Sequence, residues 1–417
     1  MPAASTEPAA APVVAQPPAP LRGRRTPPSP PLRGPADRER LELWSIAAIT
    51  AGLICFVTFY AKGGLSLETM TTTEIALTCA SAVAVVAAIL VAPPGRRAYG
   101  VWSLGLLLAF AALTALSVAW SVQPDESWQD AGRMFSYCGV FAAALALVRI
   151  APSRWPAVMG GVTVAAVIVC AYALLTKIFP GELVPASGVA RLDQPYGYWN
   201  AIGLTAAIGA ICCMWLGARR TGHALLSAMA YPAMALLLLT LLLAYSRGAL
   251  AALAIGLALW FVLVPLRLRG AAVMIVGGLG AGAVAAWAFS THALSAEGVA
   301  LGTRATAGHR LGALVLAMLL VVTLAGVAIG FFGGRRAPSP ILRRRAGAIL
   351  LASLTLAVVG FAGALAHSHR GFTGSISHAV DALTNPNAKP PPNTAGRLTA
   401  VASVRARYWK EALQVFS

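Results

Sequence analysis

An all-α integral membrane bundle is the fold class this sequence predicts, on three observations. Hydrophobic residues make up 58% of the 417, charged residues 11%, and the mean hydropathy is +0.74. That is too little polar surface for a water-soluble domain of this length. Long apolar runs recur along the chain, and each approaches the roughly 20 residues that a helix needs to cross a bilayer core. None of them alternates with the period of two that a β-barrel strand requires.

The first element is not a span. Residues 1–40 hold eleven prolines and no aromatic ring, a composition that buries no core and predicts a disordered tail. No apolar stretch followed by a small-residue cleavage site precedes the first span, so the tail is not read as a signal peptide. The bundle is expected over 41–366. Its spans fall near 43–61, 73–92, 99–119, 134–150, 157–178, 198–217, 224–245, 249–265, 271–290, 311–332 and 347–366. That makes about eleven by the bilayer-length criterion. The six cysteines (Cys55, Cys79, Cys138, Cys170, Cys212, Cys213) lie inside these runs without a CxxC pair, so neither disulfides nor a metal site are expected.

Arginine placement predicts orientation. The loops PPGRR, VRIAPSR, GARRTGH, PLRLRG and GGRRAPSPILRRR carry thirteen basic residues and no acidic one. The alternate loops carry seven basic and eight acidic residues. The positive-inside rule then places the N-terminus in the cytoplasm and residues 367–417 outside, as a long extracytoplasmic loop. The net charge of +18 is explained by topology and anionic lipid heads, and nucleic acid is not needed. Within that loop, residues 403–416 read as an amphipathic helix, with Val404, Tyr408, Trp409, Ala412, Leu413 and Phe416 on one face. The chain ends inside this helix without a cap, so further sequence is expected beyond it.

Four polar clusters interrupt the pattern on the outer side. Asp125, Glu126, Asp130 and Arg133 fit a solvated helix start, capped by Asp125 or Ser127. In RLDQPYGYWNAIG, Tyr196, Tyr198 and Trp199 fit an interfacial aromatic belt. Arg191, Asp193 and Asn200 converge there at the head of a helix, where free N–H groups and the helix dipole favour an anion. The alternative is that Arg191 and Asp193 simply pair with each other. In AYSRGAL, Arg247 stands between two apolar runs with Ser246 and Gly248 as its polar relief, a costly position that points to function unless the side chain snorkels. In the last cluster, Arg397, Arg405 and Arg407 precede Trp409, with Arg405 one helical turn from the indole. The histidines form no strong motif: His367 and His369 make only an HxH, which is a weak metal signal. No P-loop, GxGxxG, HExxH or GxSxG is present.

Outward arginines at the mouth of a helical bundle suit a lipid-anchored diphosphate, because guanidinium stays charged and grips phosphate oxygens bidentately. With no paired carboxylates for Mg²⁺ outside, the arginines themselves would stabilise a departing diphosphate, and a base would deprotonate an acceptor hydroxyl.

The succession RLDQPYGYWNAIG, AYSRGALAAL and RARYWKEALQVF resembles the O-antigen ligase and polymerase superfamily, over residues 100 to 417. The resemblance implies a GT-C type bundle of about twelve or more spans. It also implies metal- and cofactor-independent transfer of a glycan from undecaprenyl diphosphate to a glycan or lipid acceptor at the outer face of the cytoplasmic membrane. On the matching positions, Arg191, Arg247 and Arg405, with Arg407 as a near alternative, would bind the diphosphate. Asp193, Tyr198, Trp199, Asn200, Ser246 and Trp409 would support them. The family's catalytic histidine is expected beyond Ser417, and no histidine in this sequence is given its role. The competing expectations are a flippase for a lipid-linked glycan, with charges lining a path through the spans, and a structural membrane partner whose outer tail docks other proteins.

Single-cysteine variants in whole cells test the topology. A membrane-impermeant thiol reagent is expected to label a cysteine placed at Ser377 and to spare one placed at Ser5 until the membrane is permeabilised.

Overall fold

The structure is a computed structural model that describes residues 35–62, 66–91, 99–184, 188–219, 224–335, 339–367, 369, 371–389, 391, 393–400 and 404–416. Residues 1–34 of the expected tail, His223, several loop arginines and the first residue of the expected terminal helix lie outside these. The chain divides into two units, Met1–Glu42 and Leu43–Ser417; everything below on packing concerns the second.

Every regular element among the described residues is a helix, with no strand. The helices, in chain order, are α1 (Pro35–Phe59), α2 (Leu67–Val91), α3 (Val101–Ser117), α4 (Pro124–Ile150), α5 (Trp155–Ile178), the single turn α6 (Pro180–Leu183) and α7 (Trp199–Ala218). They continue with α8 (Ala224–Leu243), α9 (Arg247–Leu263), α10 (Arg267–Ser290), the short α11 (His292–Ser295), α12 (Leu301–Arg335), α13 (Pro340–Ala366), α14 (Gly371–Thr384) and α15 (Arg405–Phe416). Nine helices among the described residues are long and apolar enough to cross a membrane. The two remaining expected spans are also helices: the seventeen-residue α9 and α13. The chain is a multi-pass, all-α membrane protein.

Boundaries moved where local chemistry outweighed composition. The described part of α1 runs from Pro35, inside the stretch read as tail. Helix α4 begins at Pro124, since proline is favoured in a first helical turn. Neither Asp125 nor Ser127 caps it; both lie within the first turn, and Ser127 pairs its hydroxyl with that of Ser121 at 2.7 Å. Arg133 binds Asp130 at 3.0 Å on this surface. Helix α14 was not anticipated. Its apolar positions are spread through the polar sequence GFTGSISHAVDALT and only the helix gathers them on one side.

Helix α8 is the hub. It packs on α5, α7, α10 and α12, and Met234, Leu237, Leu239 and Leu243 are fully buried. Helices α2 and α3 lie against α4 instead, and expose Ile75, Val83, Trp102 and Leu106, as suits helices facing lipid hydrocarbon. Inside a membrane there is no hydrophobic gain from bringing helices together, so close backbone approach through small residues carries the packing. Gly209 of α7 shows this: a Cβ there would stand 2.5 Å from the Ala166 Cβ of α5 and 3.1 Å from Leu237 of α8. Gly203, a turn and a half earlier, admits α9, with Ala249 and Ser246 each 2.9 Å from its virtual Cβ.

Gly209→Val is expected to destabilise the detergent-purified protein by about 1–3 kcal/mol through overpacking, read as a lowered thermal unfolding midpoint. Gly282→Ala in α10, where nothing lies within 4 Å of a Cβ, is expected to leave the midpoint unchanged or raise it.

Candidate functional site

The polar residues of interest gather at the end of the bundle where α8 stops and α7 and α9 start. Helix α8 ends at Leu243, and the chain turns through Ala244 and Tyr245 into α9. Tyr245 takes a left-handed backbone, φ 49°, in a fully buried position, which costs on the order of 1 kcal/mol. Ser246 then caps α9 by accepting the Ala249 N–H at 3.3 Å.

Helices ending in a buried turn leave carbonyls without partners. Here Arg191 supplies the donors: its Nε gives to the Ala244 carbonyl and one Nη to the Tyr245 carbonyl, both at 3.1 Å. The other Nη gives to the Asn393 Oδ1 at 3.3 Å. The guanidinium lies over the Trp199 ring, 4.2 Å from its centroid, and Arg191 is only 3% exposed. The stretch of chain around it is tied to the same turn, since the Leu192 N–H donates to the Leu243 carbonyl at 3.3 Å. Burial, and next the positive charge of Arg397, pull the Arg191 guanidinium down to about 10, so it remains a cation at neutral pH.

The alternative of an Arg191–Asp193 pair is not met: the Arg191 hydrogen bonds described above go to Ala244, Tyr245 and Asn393. Both residues border a cavity of about 40 Å³ that Lys177 and Arg304 also line. Lys177 gives its ammonium to the Ala190 carbonyl. Burial raises the Asp193 carboxyl above the usual carboxylate range, against lowering contributions from its own and the Gln194 hydrogen bonds and from Lys177.

The aromatic residues have more specific tasks than a belt alone. The Tyr196 hydroxyl joins Thr58 of α1 and Thr205 of α7, at 3.1 Å each. Trp199 carries Arg191. Tyr198 accepts from the Asn200 carboxamide at 2.7 Å, whose oxygen in turn accepts from Ser246 at 2.9 Å. The heads of α7 and α9 are thereby held side by side.

Arg247 extends from the α9 head and donates to the Ala400 carbonyl. It feels the charges of both Arg397 and Arg405. Arg397 was not among the residues singled out as binding groups, although it stands in the same polar stretch; no motif marks it. Its Nη1 donates to the Pro391 carbonyl at 2.8 Å, with the Asn393 Oδ1 at 3.5 Å, and burial lowers its basicity. Arg407 is placed apart. It binds Glu411 one turn along α15 at 2.9 Å, with its side chain 69% exposed, and that hydrogen bond raises its basicity. Trp409 lines an open groove with Leu413 and Lys410 against Thr384 and Pro386 of the α14 end.

The structure thus gathers Arg191, Arg247 and Arg397 on oxygens of residues between α14 and α15, leaves exposed Arg405 close enough to act electrostatically on Arg247, and pairs Arg407 with Glu411. No protein-family model, curated protein or solved structure matches this chain, so the site is read from its own geometry. Among the described residues no three His, Cys, Asp or Glu side chains come close enough to hold a metal ion. What the site offers chemically is concentrated positive charge: four guanidiniums beside the positive ends of two helices, an arrangement that attracts and orients a multivalent anion.

Arg191→Gln is expected to lower the thermal midpoint markedly, by leaving the Ala244 and Tyr245 carbonyls short of donors at about 1–3 kcal/mol each. Arg407→Gln, at a solvated i,i+4 pair worth about 0.3–0.5 kcal/mol, is expected to leave the midpoint within about 1 °C.

Proposed function

We propose that this protein is a membrane glycosyltransferase of the O-antigen ligase and polymerase type. It would transfer a glycan from undecaprenyl diphosphate to a glycan or lipid acceptor in the synthesis of cell-surface polysaccharide. The observation that carries this reading is the meeting of Arg191, Arg247 and Arg397 on oxygens of residues between α14 and α15, with Arg405 at the head of α15 acting electrostatically on Arg247. Three of these arginines stand at the positions where the sequence resembles that family. The proposal includes orientation: the loop charges put the N-terminus in the cytoplasm and the arginine cluster on the outer face of the cytoplasmic membrane.

In this reading the lipid tail lies against the exposed apolar helices and the diphosphate enters the arginine cluster. An acceptor hydroxyl, giving up its proton to a general base, attacks the anomeric carbon, the bond to the diphosphate oxygen breaks, and negative charge grows on that oxygen. Guanidiniums already in place stabilise the growing charge without reorganising. Arg247 and Arg405 are the groups assigned to direct contact, because they stand at the heads of two separate helices, one half-buried and the other exposed. Arg191 holds the α7 and α9 heads in position with two donors on backbone carbonyls and turns its remaining Nη toward the site. Asn200, Ser246 and Tyr198 align those heads, and Trp199 supports Arg191.

The test supplies purified protein in nanodiscs with a lipid-diphosphate glycan and candidate acceptors, and measures release of undecaprenyl diphosphate. Arg247→Ala is expected to reduce the release rate at least about a hundredfold, the cost of removing one donor aimed at a developing charge. Release that survives the substitution removes Arg247 from the site. Movement of the glycolipid between leaflets without release under any condition overturns the transferase reading in favour of transport.

A further inference from the structure

Three arginines of the cluster direct donors to oxygens of one short segment. Between α14 and α15, residues 391 and 393–400 are described, with a single 3₁₀ turn, Ala395–Leu398, as their regular structure. From this segment the Pro391 carbonyl takes Arg397, the Ala400 carbonyl takes Arg247, and the Asn393 carboxamide faces Arg191 and Arg397 together. Arg191 and Arg247 reach this segment from distant parts of the chain, Arg397 belongs to it, and each meets oxygen.

Asn393 is the junction. Its Oδ1 lies 3.3 Å from one Arg191 Nη and 3.5 Å from one Arg397 Nη. The oxygen must be the atom on this side, because the carboxamide nitrogen would set donors against donors. Two like charges this close repel, and an oxygen between them offsets part of that repulsion. A single oxygen shared by two guanidiniums is also how a phosphate oxygen is held by an arginine pair. The carboxamide has the geometry of that oxygen but not its charge.

We propose that Asn393 is a positioning residue that stands in for a phosphate oxygen of the diphosphate: it keeps Arg191 and Arg397 at ligand spacing and is displaced when the anion enters. This rests on the diphosphate reading above. A neutral oxygen is the suitable stand-in, since it holds the cations in register yet yields to a group of higher negative charge. Displacement of Asn393, with release of the Pro391 and Ala400 carbonyls, frees donors on Arg191, Arg247 and Arg397 in one step. It also loosens the 391–400 segment.

The experiment measures binding of inorganic pyrophosphate to the full chain in nanodiscs by calorimetry, for the wild type, Asn393→Ala, Asn393→Asp and Arg247→Ala. Asn393→Ala removes the competing oxygen and is expected to tighten binding several-fold. Asn393→Asp fixes a carboxylate between the arginines and is expected to weaken it by about tenfold. Opposite signs for the two variants support the stand-in role, whereas a residue that only holds the fold together would weaken binding in both. Equal weakening, or no change in either, with Arg247→Ala still abolishing binding, overturns the role of Asn393 and leaves the diphosphate site standing. No pyrophosphate binding by the wild type overturns the diphosphate reading and this inference with it. Hydrogen exchange of the wild type supplies a second readout that needs no variant. Backbone amides of 395–400 are expected to exchange faster on pyrophosphate binding, and slower exchange there overturns displacement.

Discussion

The carbonyls of Ala244 and Tyr245 impose the constraint around which the site is built. They lie where α8 gives way to α9 in a fully buried turn, and a buried carbonyl without a donor costs several kcal/mol in an apolar setting. The chain could have left them to water, but α7, α10 and α12 close around α8 and exclude it. Arg191 answers with two directed donors and a planar face that rests on Trp199. A lysine has neither the fork nor the flat surface to do both. Once Arg191 is in place, the segment before α7 has one position available, and Trp199, Asn200 and Ser246 follow from it.

A site organised this way holds more positive charge than its own acidic groups offset. Crowded guanidiniums in a half-buried setting repel at a cost on the order of 1 kcal/mol or more per pair. The bundle tolerates this because its packing is decided elsewhere, by α8 and by glycines such as Gly209 that let backbones approach. Oxygens of residues 391–400 soften the repulsion without cancelling it. That residual charge is the property a diphosphate would use; Arg191 also borders the cavity of Lys177, Asp193 and Arg304, where a carboxylate is already present.

Much of the architecture was legible in the order of residues. Every expected span is a helix, because twenty apolar residues in a bilayer have few other ways to bond their backbone. Arg247 stood out for a related reason: a lone charge between apolar runs is too costly to be incidental. Arg397 was harder to distinguish, since in a polar stretch an arginine costs nothing and carries no signal. Arg407, a near neighbour of Arg405 in sequence, was separated from the cluster only by the helical turn that directs it to Glu411. Helix α14 was missed because its apolar face is spread across alternating polar positions.

By itself the sequence determined that this chain is helical and spans a membrane many times. It also marked Arg191, Arg247 and the arginines near Trp409 as residues needing an explanation. Those conclusions rest on the free energy of moving side chains and backbone between water and hydrocarbon, which is a local property of composition. Only the tertiary structure decided which arginines meet, that Arg191 turns away from Asp193 toward the end of α8, and that Asn393 stands between two guanidiniums from distant parts of the chain. Those contacts depend on directed hydrogen bonds between distant segments, and direction is set by how the helices pack.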